Sequence, residues 1–360
     1  MISSKSPRKV ARVALAAGKE AFSDYSHRYS PKKFTQPQLF ACLVLKEFEK
    51  KDYRGIAAFL EDSSDLRNEI GLKKVPHWTT LQKASQRLLG VKHVRLLLDD
   101  TVQRVRGRKR NIPYGAVDSS GFDAHHASRY FIWRTAANAK KDKKGKAKKR
   151  RENKGKTKKK QRVSYKRFGK LMLIVCCATH AILAAVPSTG PTPDVDQLDG
   201  VLAELAPSQT LLHLVGDAGF DSAHNHQLAR EEHGTRTTIP PDSGRPPKDP
   251  DTLPTDKYRR LMKTRFNKKA YCKRPQAETV FSMLKRNFGP SLRGRSHWAR
   301  NRDLLLKVLT HNIAIIFLRV FYRAVAWGLI STGRALKCTG SLTQARGHIQ
   351  TAARKSLGRK

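Results

Sequence analysis

Apolar residues recur at helical spacing in the first third of the chain. After Thr35, a candidate N-cap, they predict one helix, and a second short helix is expected over residues 54–60. A third helix is expected to begin with Thr79 or Thr80 as its N-cap. Three helices with short turns predict a helical domain over residues 34–110. A helix-turn-helix domain that contacts DNA or mediates dimerisation fits this pattern, and so does a small bundle that only packs.

The middle of the chain changes to short apolar runs that are typical of buried strands. One run ends at Asp118 and another at Asp217. Between them, residues 171–178 and 181–186 predict two neighbouring strands around a tight turn. Helices are expected among and after these strands. This order predicts a mixed α/β fold built in layers, in which ligand sites gather at the carboxyl ends of strands.

A later helical segment holds a carboxylate among cations and a phenol. Tyr271, Arg274, Glu278 and Lys285 follow one another at intervals of three, four and seven residues, which keeps them near one face of a helix. If Pro275 marks the helix start, Tyr271 and Arg274 lie in the preceding turn. A surface Arg–Glu ion pair is the plain interpretation. The functional one is a metal-binding acid flanked by groups that hold phosphates.

Asp118, Asp217 and Glu278 together form the kind of set that phosphodiester chemistry on two divalent metals needs. Mg²⁺ or Mn²⁺ prefers carboxylate oxygens, and two such ions about 4 Å apart can activate the attacking oxygen and stabilise the leaving one. Taken alone, each aspartate is more typical of a turn or a helix cap. Asp123 and Asp221 are weaker candidates: Asp123 is expected beyond the strand, and Asp221 is expected to cap the next helix or bond the turn.

The charge of the chain points to a polyanionic partner. The 360 residues include 73 Lys+Arg and 29 Asp+Glu, a formal net charge of +44. An enzyme that acts on small anionic metabolites does not need so strong a field, whereas a row of phosphates compensates for its self-repulsion. Residues 140–162 alone hold 15 basic and 2 acidic residues. We therefore expect a basic flexible arm at 1–33, a disordered lysine-rich insertion at 135–166 and a basic tail at 331–360.

The cysteines and the apolar stretches indicate in which cellular compartment the protein is expected. Five cysteines without a C-x-x-C pair indicate a reducing environment and no cysteine zinc site. The apolar stretches 171–186 and 304–330 are too short or are interrupted by polar and charged residues, so neither is expected to span a membrane. A cytoplasmic, nucleoid-associated protein is expected.

Three tryptophans, Trp78, Trp133 and Trp298, lie among cations in the sequence. Stacking on a flipped or frayed DNA base would use such a setting. Core packing is the favoured interpretation for each of them.

The segment around Glu278 resembles a known signature. Tyr271-x2-Arg274-x3-Glu278-x6-Lys285 matches without gaps the Y-(2)-R-(3)-E-(6)-K pattern of IS4/IS5-like DDE transposases of bacterial insertion sequences. The segments VDSSGFDAHHASRYF and LVGDAGFDSAHNH are similar to the first and second aspartate segments of that family. The matching segments extend from about residue 110 to about residue 320.

The resemblance implies an RNase H-like mixed-sheet catalytic core over residues 111–330, preceded by an N-terminal helical domain. It implies that Asp118, Asp217 and Glu278 are the catalytic residues and the ligands of two divalent ions, Mg²⁺ or Mn²⁺. The DNA-binding or accessory residues near the scissile phosphate or the transposon end would be Tyr271, Arg274 and Lys285.

The activity implied by the resemblance is DNA transposition. Family members bind the terminal inverted repeats of their element, hydrolyse a strand to free a 3′-OH, and join that 3′-OH to target DNA. Because two ends must be held together, a dimer or larger synaptic complex on double-stranded DNA is expected. Two alternatives remain open: an inactive or domesticated basic DNA-binding protein, and an RNase H-like nuclease without strand transfer.

Overall fold

A computed structural model describes four stretches of the chain. The residues described are 4–107, 110–124, 168–241 and 253–331. By its contacts the chain divides into two units, residues 1–318 and 319–360, and of the second unit the described part is the helical stretch 319–331. The predicted insertion at 135–166 and all but the first residue of the predicted tail at 331–360 lie outside the described residues.

Six helices occupy the described part of the first third of the chain. They are α1 (Pro7–Ala21), α2 (Gln36–Phe48), α3 (Tyr53–Asp62), α4 (Ser64–Ile70), α5 (Trp78–Leu88) and α6 (Val91–Arg106). The helical character predicted for this region is confirmed. Thr35 caps α2 as predicted, because its hydroxyl accepts from the Gln38 amide while the Gln38 side chain accepts from the Thr35 amide. The cap predicted for α5 is wrong, since His77 occupies that position.

The flexible arm expected over residues 1–33 is corrected by α1. This helix begins after the N-cap Ser6 with Pro7 in its first turn. Val10, Ala14 and Ala17 recur at helical spacing on its buried face and are at most 1% exposed. The small alanine side chains let α1 approach α2 closely. Because each alanine contributes little hydrophobic area, this apolar stripe is difficult to recognise among the basic residues of the sequence.

The sheet combines antiparallel and parallel pairs around one central strand. Its strands are β2 (Gly115–Ala124), β3 (Phe168–Cys176), β4 (Ile182–Gly190), β6 (His213–Val215), β7 (Arg236–Thr238) and β8 (Ser291–Leu292). The order is β4-β3-β2-β6-β7, and β8 also pairs with β2. β3 pairs antiparallel with β2 and β4, whereas β2–β6 and β6–β7 are parallel. A separate parallel pair joins β1 (Asn111–Ile112) to β5 (Thr210–Leu211).

The described second half of the chain contains further α-helices. They are α7 (Leu198–Ala203), α8 (Ala223–Gln227), α9 (Lys257–Thr264), α10 (Lys268–Tyr271), α11 (Pro275–Phe288) and α12 (His297–Ser331). The predicted hairpin β3–β4, the predicted helical segment around Glu278 and the helices expected among and after the strands are confirmed. The architecture is the mixed α/β fold with an N-terminal helical region that was predicted for an RNase H-like core.

The strand β2 divides two hydrophobic cores by the alternation of its side chains. Phe122 lies in one core with residues of α2, α11 and α12. Val117 lies in the other core with residues of α7. The first core also contains buried residues of α1 to α6, so the N-terminal helices and one sheet face share a continuous apolar interior. No helix among the described residues is both long and apolar enough to cross a membrane.

A buried ion cluster joins three helices. The Lys307 ammonium on α12 donates to Glu47 Oε1 on α2 at 2.7 Å and to the Phe288 carbonyl at the end of α11 at 2.6 Å. Lys46 Nζ lies 3.3 Å from the other Glu47 oxygen. Burial alone would raise the pKa of Glu47, but the two ammonium groups lower it below its ordinary value. Glu47 is therefore held as a carboxylate inside the core.

A buried histidine of α12 links this helix to the sheet. His311 is 1% exposed, and its Nε2 lies 2.9 Å from the His180 carbonyl oxygen, to which the neutral ring donates. Burial lowers the pKa of His311 to about 4, and the nearby His180 acts in the same direction, while the hydrogen bond opposes the shift. His311 is therefore a core histidine of α12.

His311 should make the fold sensitive to acid. Its folded pKa of about 4 lies below the ordinary value of 6.5, so its contribution is complete above pH 6.5 and is lost as the pH falls towards 4. The linkage reaches at most about 3 kcal/mol. Denaturant unfolding from pH 7.5 to 4 should show a smaller loss in His311→Gln than in the wild type. Equal pH dependence of the two proteins would refute this role.

Candidate active site

Asp118 lies in the central strand and not at its end. The prediction of a strand that stops at Asp118 is wrong, because β2 continues to Ala124. Ser119, Ser120 and Gly121 resemble turn residues in sequence, yet they pair with Met172, Leu171 and Lys170 of β3. Asp118 is half-buried, and its Oδ1 accepts from the Ser119 amide at 2.8 Å. Pairing with β3 thus fixes the backbone of Asp118 on one side, and the Ser119 amide orients its carboxylate.

Asp217 follows the strand next to β2. β6 runs parallel to β2, with Val215 opposite Ala116. Asp118 and Asp217 each come two residues after that pair, and adjacent strands are about 4.8 Å apart. Asp217 is exposed and its Oδ1 accepts from the Ala218 amide at 2.8 Å, which starts a short 3₁₀ turn. The parallel pairing therefore places Asp217 just past the end of β6, beside Asp118 on the adjacent strand.

Glu278 lies in the first turn of α11 and is paired with an arginine. Arg274 is the N-cap residue and Pro275 starts the helix. Arg274 Nη1 lies 2.6 Å from Glu278 Oε1. Tyr271 ends α10, so Tyr271 and Arg274 precede α11, as the second of the two sequence alternatives predicted.

Lys285 ties α11 to the strand that carries Asp118. Its Nζ donates to Ser120 Oγ at 2.7 Å and lies 5.3 Å from the centre of the Phe122 ring. Asp118, Ser120 and Phe122 alternate along β2 and share one face. Seven residues separate Glu278 from Lys285, about two helical turns. The side of α11 that carries both residues therefore lies over the Asp118 face of the sheet.

The charges of these elements influence one another. Burial raises the pKa of Asp118 to about 6, and the negative charges of Glu278 and Asp194 act in the same direction, while the Arg274 guanidinium opposes them. Burial alone would lower the pKa of Arg274, but attraction by Glu278 and also by Asp217 raises it. Arg274 thus lies within electrostatic range of all three predicted acids. A buried, raised-pKa acid near a charge partner is a common feature of functional sites.

The donor chemistry of the three acids fits a hard divalent ion, since carboxylate oxygens are the ligands that Mg²⁺ prefers. Within the part of the chain that the structure describes, no group of three or more His, Cys, Asp or Glu side chains is close enough together to hold a metal ion. The Arg274 guanidinium pairs with one oxygen of Glu278, which leaves the other carboxylate oxygen to bind an ion.

Asp194 is an acid near the site that the sequence did not single out. Ser119 Oγ donates to Asp194 Oδ1 at 2.7 Å, and Lys170 Nζ lies 2.5 Å from the same oxygen. Its charge contributes to the raised pKa of Asp118. Asp194 is 20 or more residues from either aspartate in sequence and belongs to no spaced motif. The β2–β3 pairing, which no local pattern reveals, brings its partners together.

Asp123 is separated from the site by strand alternation. It was expected outside the strand, but it lies within β2 and pairs with Ser291 of β8. Side chains on a strand alternate between faces, so Asp123 points away from the face of Asp118. Asp118 remains the better candidate for the site because Asp123 faces the other side of the sheet, and not because Asp123 lies beyond the strand.

Asp221 is the centre of a buried ion network. The expected helix cap is wrong, because Ser222 caps α8 by accepting from the Asn225 amide. Asp221 Oδ2 instead accepts two hydrogen bonds from Arg259 of α9, at 2.9 and 2.7 Å. His226 Nε2 lies 3.2 Å from Asp221 Oδ1, and both side chains are fully buried. This network fastens the turn after Asp217 to the helix that precedes α10 and α11.

The tryptophans have different environments. Trp298 is 71% exposed, so the prediction of core packing is wrong for this residue. Trp78 is half-buried and the Arg54 guanidinium stacks on it at 4.9 Å. Trp133 lies outside the described residues.

Sequence comparison identifies the family to which this fold and site belong. A family model for the transposase DDE domain matches residues 109–313, which is more than half of the chain. No curated protein matches the sequence significantly. The chain belongs to the DDE-domain transposases. Membership implies a nuclease or transposase enzyme with a DNA substrate, and DDE transposases generally use divalent metals.

The burial of Asp118 should cost folding stability. Its folded pKa of about 6 exceeds the ordinary value of 3.8, so above pH 6 the fold disfavours the charged carboxylate. Asp118→Asn should therefore increase the free energy of unfolding by about 1 kcal/mol after allowance for solvent screening. Denaturant unfolding at pH 7.5 with a chelator measures this. Asp123→Asn, an exposed residue on the other face, is the control and should change little; a destabilised Asp118→Asn would contradict the expectation.

Removal of Arg259 should destabilise the protein strongly. Arg259→Ala leaves the Asp221 carboxylate buried without its guanidinium, which typically costs about 3 kcal/mol. Arg265→Ala is the matched control, since Arg265 is exposed at the end of the same helix, and a change below about 0.5 kcal/mol is expected. Thermal or denaturant unfolding checks both variants. Similar losses in the two would show that the buried network does not hold α9.

Proposed function

We propose that this protein is the transposase of a bacterial insertion sequence of the IS4/IS5-like type. It binds the terminal inverted repeats of its element, cleaves DNA to free a 3′-OH, and joins that 3′-OH to target DNA. One observation above all supports the proposal. The parallel pairing of β2 with β6 sets Asp217 beside Asp118, and the Lys285–Ser120 hydrogen bond lays the helix of Glu278 over the same face of the sheet.

In this proposal Asp118, Asp217 and Glu278 are the catalytic acids and would hold two divalent ions, Mg²⁺ or Mn²⁺. When bound, such ions supply activation of the attacking oxygen and charge stabilisation for the leaving one. The half-buried position of Asp118 keeps its carboxylate partly away from water, which strengthens electrostatic interactions at the site. The pairing of β2 with β3 fixes the strand position of Asp118 before substrate arrives.

Arg274 has two uses in the proposed mechanism. Without substrate it neutralises Glu278 through the 2.6 Å ion pair. When Glu278 takes up its ligand role, the guanidinium becomes available to a phosphate oxygen, which it can bind with two parallel hydrogen bonds. Tyr271 lies one turn earlier, where its phenol can donate to DNA near the cut end.

Lys285 serves the proposed site as a point charge near the strand. Its ammonium is held by Ser120 Oγ on the Asp118 face of β2. A Lys ammonium has three donors, so the bond to Ser120 leaves others for a phosphate. Lys285 and Arg274 lie at the two ends of α11. DNA that reaches Asp118 would therefore pass between these two cations. The requirement for two transposon ends supports a dimer or larger complex on DNA.

The proposal predicts that the three acids are essential for cleavage. Incubation of the protein with Mg²⁺ or Mn²⁺ and a DNA fragment ending in the element's own terminal repeat should give nicked and joined products on denaturing gels. Asp118→Asn, Asp217→Asn and Glu278→Gln should each reduce nicking by about three orders of magnitude, since several kcal/mol of transition-state stabilisation would be lost.

Glu232→Gln is the control for loss of an exposed glutamate elsewhere, and its nicking rate should match the wild type. Wild-type nicking by Glu278→Gln would remove the assignment of the helix acid. Nicked DNA without joined products from the wild-type protein would instead identify a nuclease without strand transfer. DNA binding without nicking would identify an inactive copy.

A further inference from the structure

A polar cleft lies between the N-terminal helices and the segment that leads into α12. It has a volume of about 460 Å³. One wall comes from α2, α3 and α5, and the other from residues 293–303. Apart from Tyr53, Gly294 and Ala299, its lining is polar or charged. Four of the lining residues are Lys or Arg, and these suit an anionic ligand such as phosphate.

Each of the two carboxylates of the cleft has one oxygen that accepts from backbone amides. Asp52 Oδ1 accepts from the Gly55 amide at 2.6 Å, as the N-cap of α3. Asp303 Oδ2 accepts from the Gly294 amide at 2.8 Å and from the Arg293 amide at 3.2 Å. These acids shape the loop and the helix, and they are not ion-pair partners for the arginines of the cleft.

The four cations of the cleft fall into two classes. Lys46 and Arg293 are engaged: Lys46 Nζ is paired with Glu47, and the Arg293 guanidinium donates to the Lys50 carbonyl. Arg295 is exposed and Arg302 is half-exposed. Among the described residues, neither of these two guanidinium groups has a hydrogen-bond or ion-pair partner. An arginine fork without a partner is suited to phosphate.

The opposite wall offers matching neutral donors. Gln82 and Gln86 are exposed and four residues apart, so they lie on the same face of α5. Glutamine amides donate to phosphate and sugar oxygens in protein–DNA interfaces without a charge requirement. The cleft thus presents charged donors on one wall and neutral donors on the other.

The path of the chain connects this cleft to the proposed active site. β8 pairs with Asp123 and Ala124 at the carboxyl end of β2. The segment that carries Arg295 leaves the sheet directly after β8. Asp118 is five residues earlier on β2, roughly 17 Å along an extended strand. A duplex whose end lies at Asp118 could extend past this edge of the sheet.

We propose that the cleft binds the sugar–phosphate backbone of the transposon-end duplex, away from the scissile phosphate, through Arg295 and Arg302. This inference rests on the proposed function, because it takes the DNA that is cut at Asp118 as the ligand. The cleft holds the duplex against the N-terminal helices and positions its end. Backbone contacts of this kind add affinity and orientation but carry no sequence information.

The experiment measures binding without chemistry. Fluorescence anisotropy with a labelled terminal-repeat duplex, in chelator and over a range of salt, gives the slope of log affinity against log salt. Arg295→Ala/Arg302→Ala should weaken binding about tenfold and reduce the slope by about 2, because two phosphate contacts are lost. Arg295→Lys/Arg302→Lys should restore most of the slope, since it keeps the charge.

Arg110→Ala/Arg236→Ala is the control pair, because both residues are exposed and lie near the starts of β1 and β7. It removes the same charge, and its affinity and slope should stay near the wild-type values. Equal effects of the two alanine pairs would overturn the proposal, because the general positive charge of the protein would then explain the DNA affinity. Unchanged thermal unfolding shows that the variants are folded. Failure of the wild type to nick DNA would contradict the proposed function and leave the binding result intact.

Discussion

The structure depends on the alternation of side chains along β2. One face of this strand presents Asp118, Ser120 and Phe122 to α11, and pairing with β6 sets Asp217 beside it. The contact from Lys285 to Ser120 fixes how α11 lies over the strand, and therefore where Glu278 can reach. A one-residue shift of β2 against β3 would move Asp118 to the other core and separate the acids. The sheet register is thus a condition for the site and not only for the fold.

Local patterns in the sequence were enough to predict α2, α3, α5 and α11, the β3–β4 hairpin and the order of the three acids, whereas α1, α4 and α6 were not predicted. The cap at Thr35 and the start of α11 at Pro275 depend on side chains within four residues, so a sequence reveals them directly. The length of β2 could not be predicted in this way. Ser119 to Gly121 become strand residues through pairing with β3, and residues 125–167 separate the two strands in sequence.

The candidate site shows the same division. Spacing predicted that Arg274 and Glu278 are neighbours, and the 2.6 Å ion pair confirms it. The roles of Asp194 and Asp221 were missed or misread, because their partners come from Lys170 and Arg259 on other elements. A buried carboxylate in a three-dimensional network resembles a turn residue when only its neighbours in sequence are considered. Family membership indicates that the substrate is DNA. The arrangement of charges in the structure supports the role proposed for each residue.

The Lys307 ammonium should restrict how α2, α11 and α12 move relative to one another during the reaction cycle. It is bonded at once to Glu47 of α2 and to the last carbonyl of α11, and the side chains of Lys307 and Glu47 are both largely buried. Neither helix can slide past the other without leaving a buried charge unpaired, which costs several kcal/mol. α2, α11 and the start of α12 should therefore move as one rigid body. A torque that DNA applies to the N-terminal helices would be transmitted to the helix of Glu278 and not absorbed by a hinge between them.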